Sequence, residues 1–308
     1  MPELIHSYQN IMMGNKLFSV LIANYNNGCY LKEAIDSVLN QTYHDWEIII
    51  VDDCSTDNSK DIYREYSSDS RFHIYYNDCN KGCGYTKRRC VDEAHGEICG
   101  FLDPDDVLLP DALEKMVKVH EEHPEVSIVY SRCYRCDTDM NVYGENELLD
   151  LKKGESFYTY RWYGAMHFAT FKKSYYDKTE GISSYIQAGV DQDLYFKMEE
   201  VGDIYVLNEF TYKYRQGVST AVTSNWFRVW FWNLEVRRNA CVRRGLNLSD
   251  ETYNDFIKVI EERENRIINQ NKHDILFSSK VFRLGYILLF PFIKLQKVLN
   301  RFRQITKK

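Results

Sequence analysis

Three carboxylates fall within four residues at Asp103-Pro104-Asp105-Asp106. Two carboxylates one residue apart on a loop can face one ion, and such oxygens suit a hard divalent cation, Mn2+ or Mg2+, that completes its shell with phosphate oxygens and water. Asp and Pro are also ordinary turn residues, so a solvated acidic turn is the plainer alternative. A second acidic pair, Asp52-Asp53, can accept a ligand N–H or cap the helix that follows it. The run Lys87-Arg88-Arg89 offers positive charge for an anion.

Both acidic clusters begin where an apolar strand stops. The pattern predicts strands over residues 18–23, 47–51, 72–76, 98–102 and 126–130. Between them fall helices over 31–40, from Ser55-Thr56-Asp57 towards 66, and over 85–94 and 111–123. Strands alternating with helices imply an α/β fold with a mainly parallel, doubly covered sheet, whose ligands sit beyond the carboxyl ends of the strands. After residue 132 the alternation weakens. A strand at 168–171, a helix at 193–201 and two short strands at 204–207 and 212–214 are expected, then helices over 226–244 and 250–271 and an apolar, basic tail. The expected division is a catalytic domain over 1–223 and a helical C-terminal extension over 224–308.

In order along the chain, several motifs resemble the family 2 inverting glycosyltransferases of GT-A fold. They are Phe18 to Asn26 (FSVLIANYN), Asn40-Gln41-Thr42-Tyr43, Ile50 to Asp57 (IVDDCSTD), Asn80-Lys81-Gly82, Gly96-Glu97 and Leu102 to Asp106. The resemblance covers roughly residues 18–219 and implies transfer of a sugar from a nucleotide diphosphate donor, commonly a UDP-sugar, to a hydroxyl of a glycan or lipid-linked acceptor. It implies Asp105 as the principal metal ligand, with Asp103 nearer the ribose or the metal's water shell. Asn24, Asp52 and Asp53 are implied to line the nucleotide site, Asp53 accepting from the base. The family usually places an arginine near the diphosphate where this chain aligns Lys87, with Arg88 and Arg89 beside it, and a lysine lacks the bidentate geometry of arginine. An inverting reaction needs one base to take the acceptor's proton. The resemblance points to Asp191 in Gly189-Val190-Asp191, where the family usually shows Glu-Asp, and Asp193 is the neighbour that can be mistaken for it. Tyr212-Lys213-Tyr214-Arg215 resembles the family's aromatic–arginine strand, but Gln216-Gly217-Val218-Ser219 follows it without the usual histidine. Trp162, Tyr163, His167 and Phe168, with Arg215, fall where the acceptor site is usually shaped. Arg161-Trp162 lacks the Gln-x-x-Arg-Trp pattern of processive synthases, so one sugar per encounter is expected.

The bulk composition agrees with a folded enzyme: 308 residues, 44% hydrophobic and 27% charged, with five prolines and 15 glycines, leave little for disordered linkers. Nine scattered cysteines form no framework typical of secreted domains, and the pair Cys133 and Cys136 has no partner pair at zinc-site spacing. Reduced thiols and a cytoplasmic location are expected, and the first 14 residues do not read as an export signal. Net charge is −6, yet residues 275–308 hold eight Lys or Arg and no Asp or Glu. An acidic body excludes a general nucleic-acid surface and leaves an anionic partner to the tail. There Val281, Gly285, Leu288, Phe292, Leu295, Leu299 and Phe302 recur at helical spacing, while Arg283, Lys294, Lys297 and Arg301 gather on another face. The uncharged stretch 284–293 is too short to span a bilayer of about 30 Å, so the expectation is peripheral contact with the inner face of the cell membrane. Packing on the catalytic domain or in a homodimer is the alternative. Two other functions compete: a sugar-phosphate nucleotidyltransferase, whose glycine-rich first loop is absent after Ala23, and a catalytically silent nucleotide-sugar-binding protein, suggested by Val190 and the missing histidine.

Overall fold

The computed structural model of the chain describes residues 16–146, 156, 167–218 and 226–246. In chain order the elements are β1 (Phe18–Asn24), α1 (Gly28–Leu39), β2 (Trp46–Asp52), α2 (Ser59–Tyr66), β3 (Phe72–Tyr76), α3 (Cys83–Asp92), β4 (Ile98–Phe101) and β5 (Val107–Leu108). There follow α4 (Ala112–Glu122), β6 (Val126–Cys136), β7 (Val142–Glu145), β8 (Ala169–Lys172), α5 (Lys173–Tyr176), α6 (Val190–Glu199), β9 (Asp203–Arg215) and α7 (Trp226–Arg243).

β1 and β2 are near-continuous apolar runs, and successive side chains of a strand point to opposite faces, so each strand needs cover on both sides. Val20, Ile22, Ile48 and Ile50 enter one core with Leu31 and Ile35 of α1, Ile62 and Tyr63 of α2 and Leu113 and Met116 of α4. Leu21, Ile49 and Val51 enter the other with Cys90 and Val91 of α3, Leu194 and Phe196 of α6 and Val236 and Ala240 of α7. The sheet order is β3-β2-β1-β4-β8-β6-β9-β5, with β7 on β6. β3, β2, β1 and β4 run parallel, as expected from the alternation. The second half is mixed: β8 is antiparallel to both β4 and β6, β9 is parallel to β6, and β5 is antiparallel to β9.

Two expectations change. The two short strands after residue 203 are one 13-residue strand, β9. Asn208 and Glu209 look like a break in the sequence, but they sit exposed on the strand while register shifts in the pairing of β6 with β9 between Tyr130 and Cys133 absorb the irregularity. β6 correspondingly runs on to Cys136. One compact unit reaches Arg244, with Val236 and Ala240 of α7 buried in the second core. Residues 245–308 form a separate unit. The predicted helix over 250–271 and the amphipathic tail lie outside the described residues. Among the described residues, no helix is long and apolar enough to cross a membrane.

Candidate functional site

The carboxyl ends of β1, β2 and β4 and the N-termini of α3 and α6 meet at one edge of the sheet. Asp103 follows β4, Lys87 lies in α3, and Asp191 is the second residue of α6. The Lys87 ammonium lies 3.1 Å from Asp103 Oδ1 and 2.8 Å from Asp191 Oδ1. Its side chain is 6% exposed, against 29% for Asp103 and 32% for Asp191, so the lysine forms the floor and the two carboxylates keep a face open. Burial would lower the Lys87 pKa, but the two carboxylates outweigh it and hold the ammonium well above its ordinary value. Burial would likewise raise Asp191, yet Lys87 and His167 hold its carboxyl below the usual range. Its place in the first turn of α6 favours the same ionised form.

Only one member of the basic run reaches this cleft. Consecutive helical residues point about 100° apart, so three cannot share a face. Arg88 donates to the carbonyls of Glu180 and Ile182 at 3.1 and 3.0 Å, and Arg89 to the Tyr76 carbonyl and Asn77 Oδ1, both at 2.8 Å. Arg88, expected at the donor nucleotide, fastens the loop that precedes α6. That loop also packs on the first turn of α3, where a Cβ on Gly84 would sit 2.4 Å from the Ile186 carbonyl oxygen. A side chain there would push Asp191 away from Lys87.

The metal-loop carboxylates divide into two kinds. Asp106 is buried and accepts from the Tyr212 hydroxyl at 2.8 Å and the Arg215 backbone N–H at 2.7 Å. Arg215 Nε donates to the Asp105 carbonyl at 2.7 Å, and its guanidinium also meets the Thr138 carbonyl and Glu33. Arg215, expected to face the acceptor, thus clamps the loop, and the aromatic–arginine strand is the loop's splint. On the Asp105 carboxylate, burial and then the Asp103 charge outweigh its own backbone N–H and the charges of Arg215 and Lys87, and push it up to about 6. A carboxyl raised this way is short of positive charge, and a divalent cation held by Asp105 and Asp103 would supply it.

Three expected nucleotide ligands lie at the ends of β1 and β2. Asn24 and Asp52 are fully buried: the Tyr63 hydroxyl donates to Asp52 Oδ1 at 2.8 Å, Ser55 N to Asp52 Oδ2 at 2.9 Å, and Asn24 Nδ2 to Ser59 Oγ at 2.9 Å. Asp53 accepts from Asn77 Nδ2, Lys81 N and Gly82 N at 2.7–2.8 Å, which uses both of its oxygens. These hydrogen bonds shape the loops of the edge. The expected cap residue Asp57 ties two helices, accepting from Gly28 N of α1 at 2.8 Å and Ser59 N of α2 at 3.0 Å.

Near Asp191, the confusable Asp193 is fully buried, and its Oδ2 accepts from Ser183 N and Lys197 Nζ, both at 2.8 Å. It is structural, and the i, i+4 spacing of Asp193 and Lys197 was the available signal. Asp193→Ala strands a buried ammonium and is expected to cost about 3–5 kcal/mol in urea unfolding. A loss within 1 kcal/mol would show the pair to be solvated. Val190, in place of the usual glutamate, packs into the second core, so this substitution does not open the cleft. His167 stacks on Tyr212 and Tyr214 with centroids 5.0 and 5.3 Å away, while Phe168 is wholly core. Trp162 and Tyr163 lie outside the described residues.

A family model for glycosyl transferase family 2 matches residues 19–181, which include all of β1 but its first residue, Lys87 and the acidic loop. The chain belongs to glycosyl transferase family 2. Among curated relatives, this family 2 chain is 40% identical over 103 residues to a putative teichuronic acid biosynthesis glycosyltransferase, TuaG, of Bacillus subtilis, covering 33% of the chain and 41% of the relative. It is 31% identical over 199 residues to the chondroitin synthase of Escherichia coli, covering 64% of the chain and 28% of the synthase. The chain therefore spans well under half the length of these relatives. Among solved structures, S. aureus TarS (1-349) in complex with UDP-GlcNAc superposes with a TM-score of 0.59 at 20% identity, covering 67% of this chain and 60% of that one. At that identity the likeness is one of fold, and the fold is GT-A.

Proposed function

We propose that this family 2 chain is an inverting, metal-dependent, non-processive glycosyltransferase that moves a sugar from a nucleotide diphosphate donor, a UDP-sugar, to a hydroxyl of a glycan or lipid-linked acceptor in cell-surface polysaccharide synthesis. One observation carries the reading: a partly exposed Asp191 shares a buried ammonium with Asp103 at the carboxyl edge of the parallel strands. The relatives that act on polysaccharides and the UDP-GlcNAc complex of TarS support the substrate class. A cation at Asp105 and Asp103 would neutralise the departing diphosphate. Lys87 adds a fixed positive charge beside the same position. Asp191 takes the proton from the acceptor hydroxyl as that oxygen attacks the anomeric carbon from the face opposite the diphosphate. No enzyme nucleophile is required, so the product has the opposite anomeric configuration to the donor. His167, stacked on Tyr212 and Tyr214, stands as a wall of the acceptor side.

The test is incubation with Mn2+ and a panel of nucleotide sugars, reading nucleoside diphosphate release and the anomeric coupling of the product by NMR. Release with inversion supports the proposal; retention, or tight donor binding with no turnover on any acceptor, overturns it, the latter in favour of a silent binding protein.

A further inference from the structure

The opposite edge of the same sheet carries a second cluster of ligating groups. Glu47 is the second residue of β2, His73 the second of β3, and His95 lies in the turn that enters β4. Five residues of strand separate Glu47 from Asp52, roughly 16 Å, so this cluster lies apart from the donor edge. Glu47 Oε2 is 3.0 Å from His95 Nδ1 and 3.3 Å from His73 Nε2, and the three ligand atoms all fall within 4.8 Å of one another.

We propose that Glu47, His73 and His95 form a binding site for a borderline transition cation of the Zn2+ class, separate from the hard-cation site of the donor. Bonds of about 2.0–2.2 Å in tetrahedral array place ligand atoms about 3.3 Å apart, the spacing the Glu47 oxygen already keeps to both imidazoles. Two nitrogens and one carboxylate oxygen are the donor set such an ion favours over Mg2+. The carboxylate is also pre-aimed. Its Oε1 accepts from Ser19 Oγ at 2.6 Å, His95 N at 2.7 Å and Gly96 N at 3.2 Å, which leaves Oε2 turned to the histidines. Outer hydrogen bonds of this kind orient a metal ligand.

The backbone is fitted to the cluster as well. A Cβ on Gly96 would lie 2.6 Å from both the Leu17 carbonyl oxygen and Ser19 Oγ, so glycine lets the turn close onto β1 and bring His95 to Glu47. His95 is 62% exposed and His73 35%, against 6% for Glu47, which gives an ion a path from solvent and a fourth position for water. Bound there, the ion clips the amino ends of β2 and β3 to the turn before β4.

The experiment is a Co2+ titration of the full-length chain in excess Mg2+, followed by visible absorption and then by Zn2+ competition. The wild type is expected to take one Co2+ with nitrogen and oxygen ligands and to release it to Zn2+. His95→Ala and His73→Ala should each weaken binding at least about tenfold, while Asp105→Ala should bind as wild type does. Zn2+ should raise the Tm of the wild type and not that of His95→Ala, a variant of an exposed side chain whose own unfolding curve reports its fold. Unchanged titration in both histidine variants overturns the proposal. So does loss of the site in Asp105→Ala, or a thiolate charge-transfer band, which would assign the metal to cysteines.

Discussion

Asp191→Asn is expected to bind the nucleotide sugar nearly as wild type does and to turn it over about 100-fold more slowly or worse, the usual scale for loss of a general base. The amide keeps the shape and can still accept from Lys87, but it cannot take a proton. Donor affinity by calorimetry and single-turnover rate separate the two effects. If affinity and rate fall together, Asp191 holds the site rather than acting in it. The pH profile adds a sign. Burial raises this carboxyl while Lys87 and His167 lower it, with a net fall below the ordinary value. The base is active when deprotonated, so wild-type kcat should stay level down to acid pH on this limb. In Lys87→Met the burial effect loses its main opponent, the Asp191 pKa rises, and the acid limb of kcat moves to higher pH. A limb that stays in place would show that Lys87 does not tune the base.

The parallel half of the fold was legible because fully buried strands write themselves as unbroken apolar runs, such as Ile48 to Val51, and the acidic residues that end those runs mark the ligand edge. The mixed half was less legible. β9 carries Asn208 and Glu209 in mid-strand, a polar pair that periodicity reads as a turn, and only its pairing with β6 keeps it one strand. Residue type also outran geometry at the site. Asn24, Asp52 and Asp53 have the chemistry of nucleotide ligands, but whether a carboxylate faces a cleft or closes a loop depends on which backbone N–H groups lie within 3 Å. Those groups come from residues such as Lys81 and Gly82, 28 and 29 positions away from Asp53. Among Lys87, Arg88 and Arg89 the residue types do not separate the candidates, and the helix phase turns Lys87 to Asp103 and Asp191. Asp191 and Asp193 are separated in the same way, by the buried Lys197 that claims the second.

Asp105→Ala is expected to abolish metal-dependent donor binding and with it transfer, while leaving the chain folded. The Asp105 carboxylate is raised to about 6 by burial and by Asp103, which means that its negative charge is unfavourable in the cation-free fold. Removing that charge should therefore leave the urea midpoint at neutral pH no lower than in wild type, so loss of activity cannot be assigned to unfolding. The backbone of the loop stays anchored, because Arg215 Nε binds the carbonyl of residue 105 and Arg215 N binds Asp106. The same shift fixes a pH dependence for the wild type. Below about 6 the carboxyl holds a proton, and a cation must displace it. At one unit below that value the apparent affinity for Mn2+, and for donor in limiting Mn2+, should fall about tenfold from its neutral plateau. Saturating Mn2+ should restore donor binding by mass action. Calorimetric titrations across that pH range, at limiting and saturating Mn2+, make the comparison. Donor affinity that is independent of both Mn2+ and Asp105 would remove the cation from the reaction and leave Lys87 as the cleft's charge on the diphosphate.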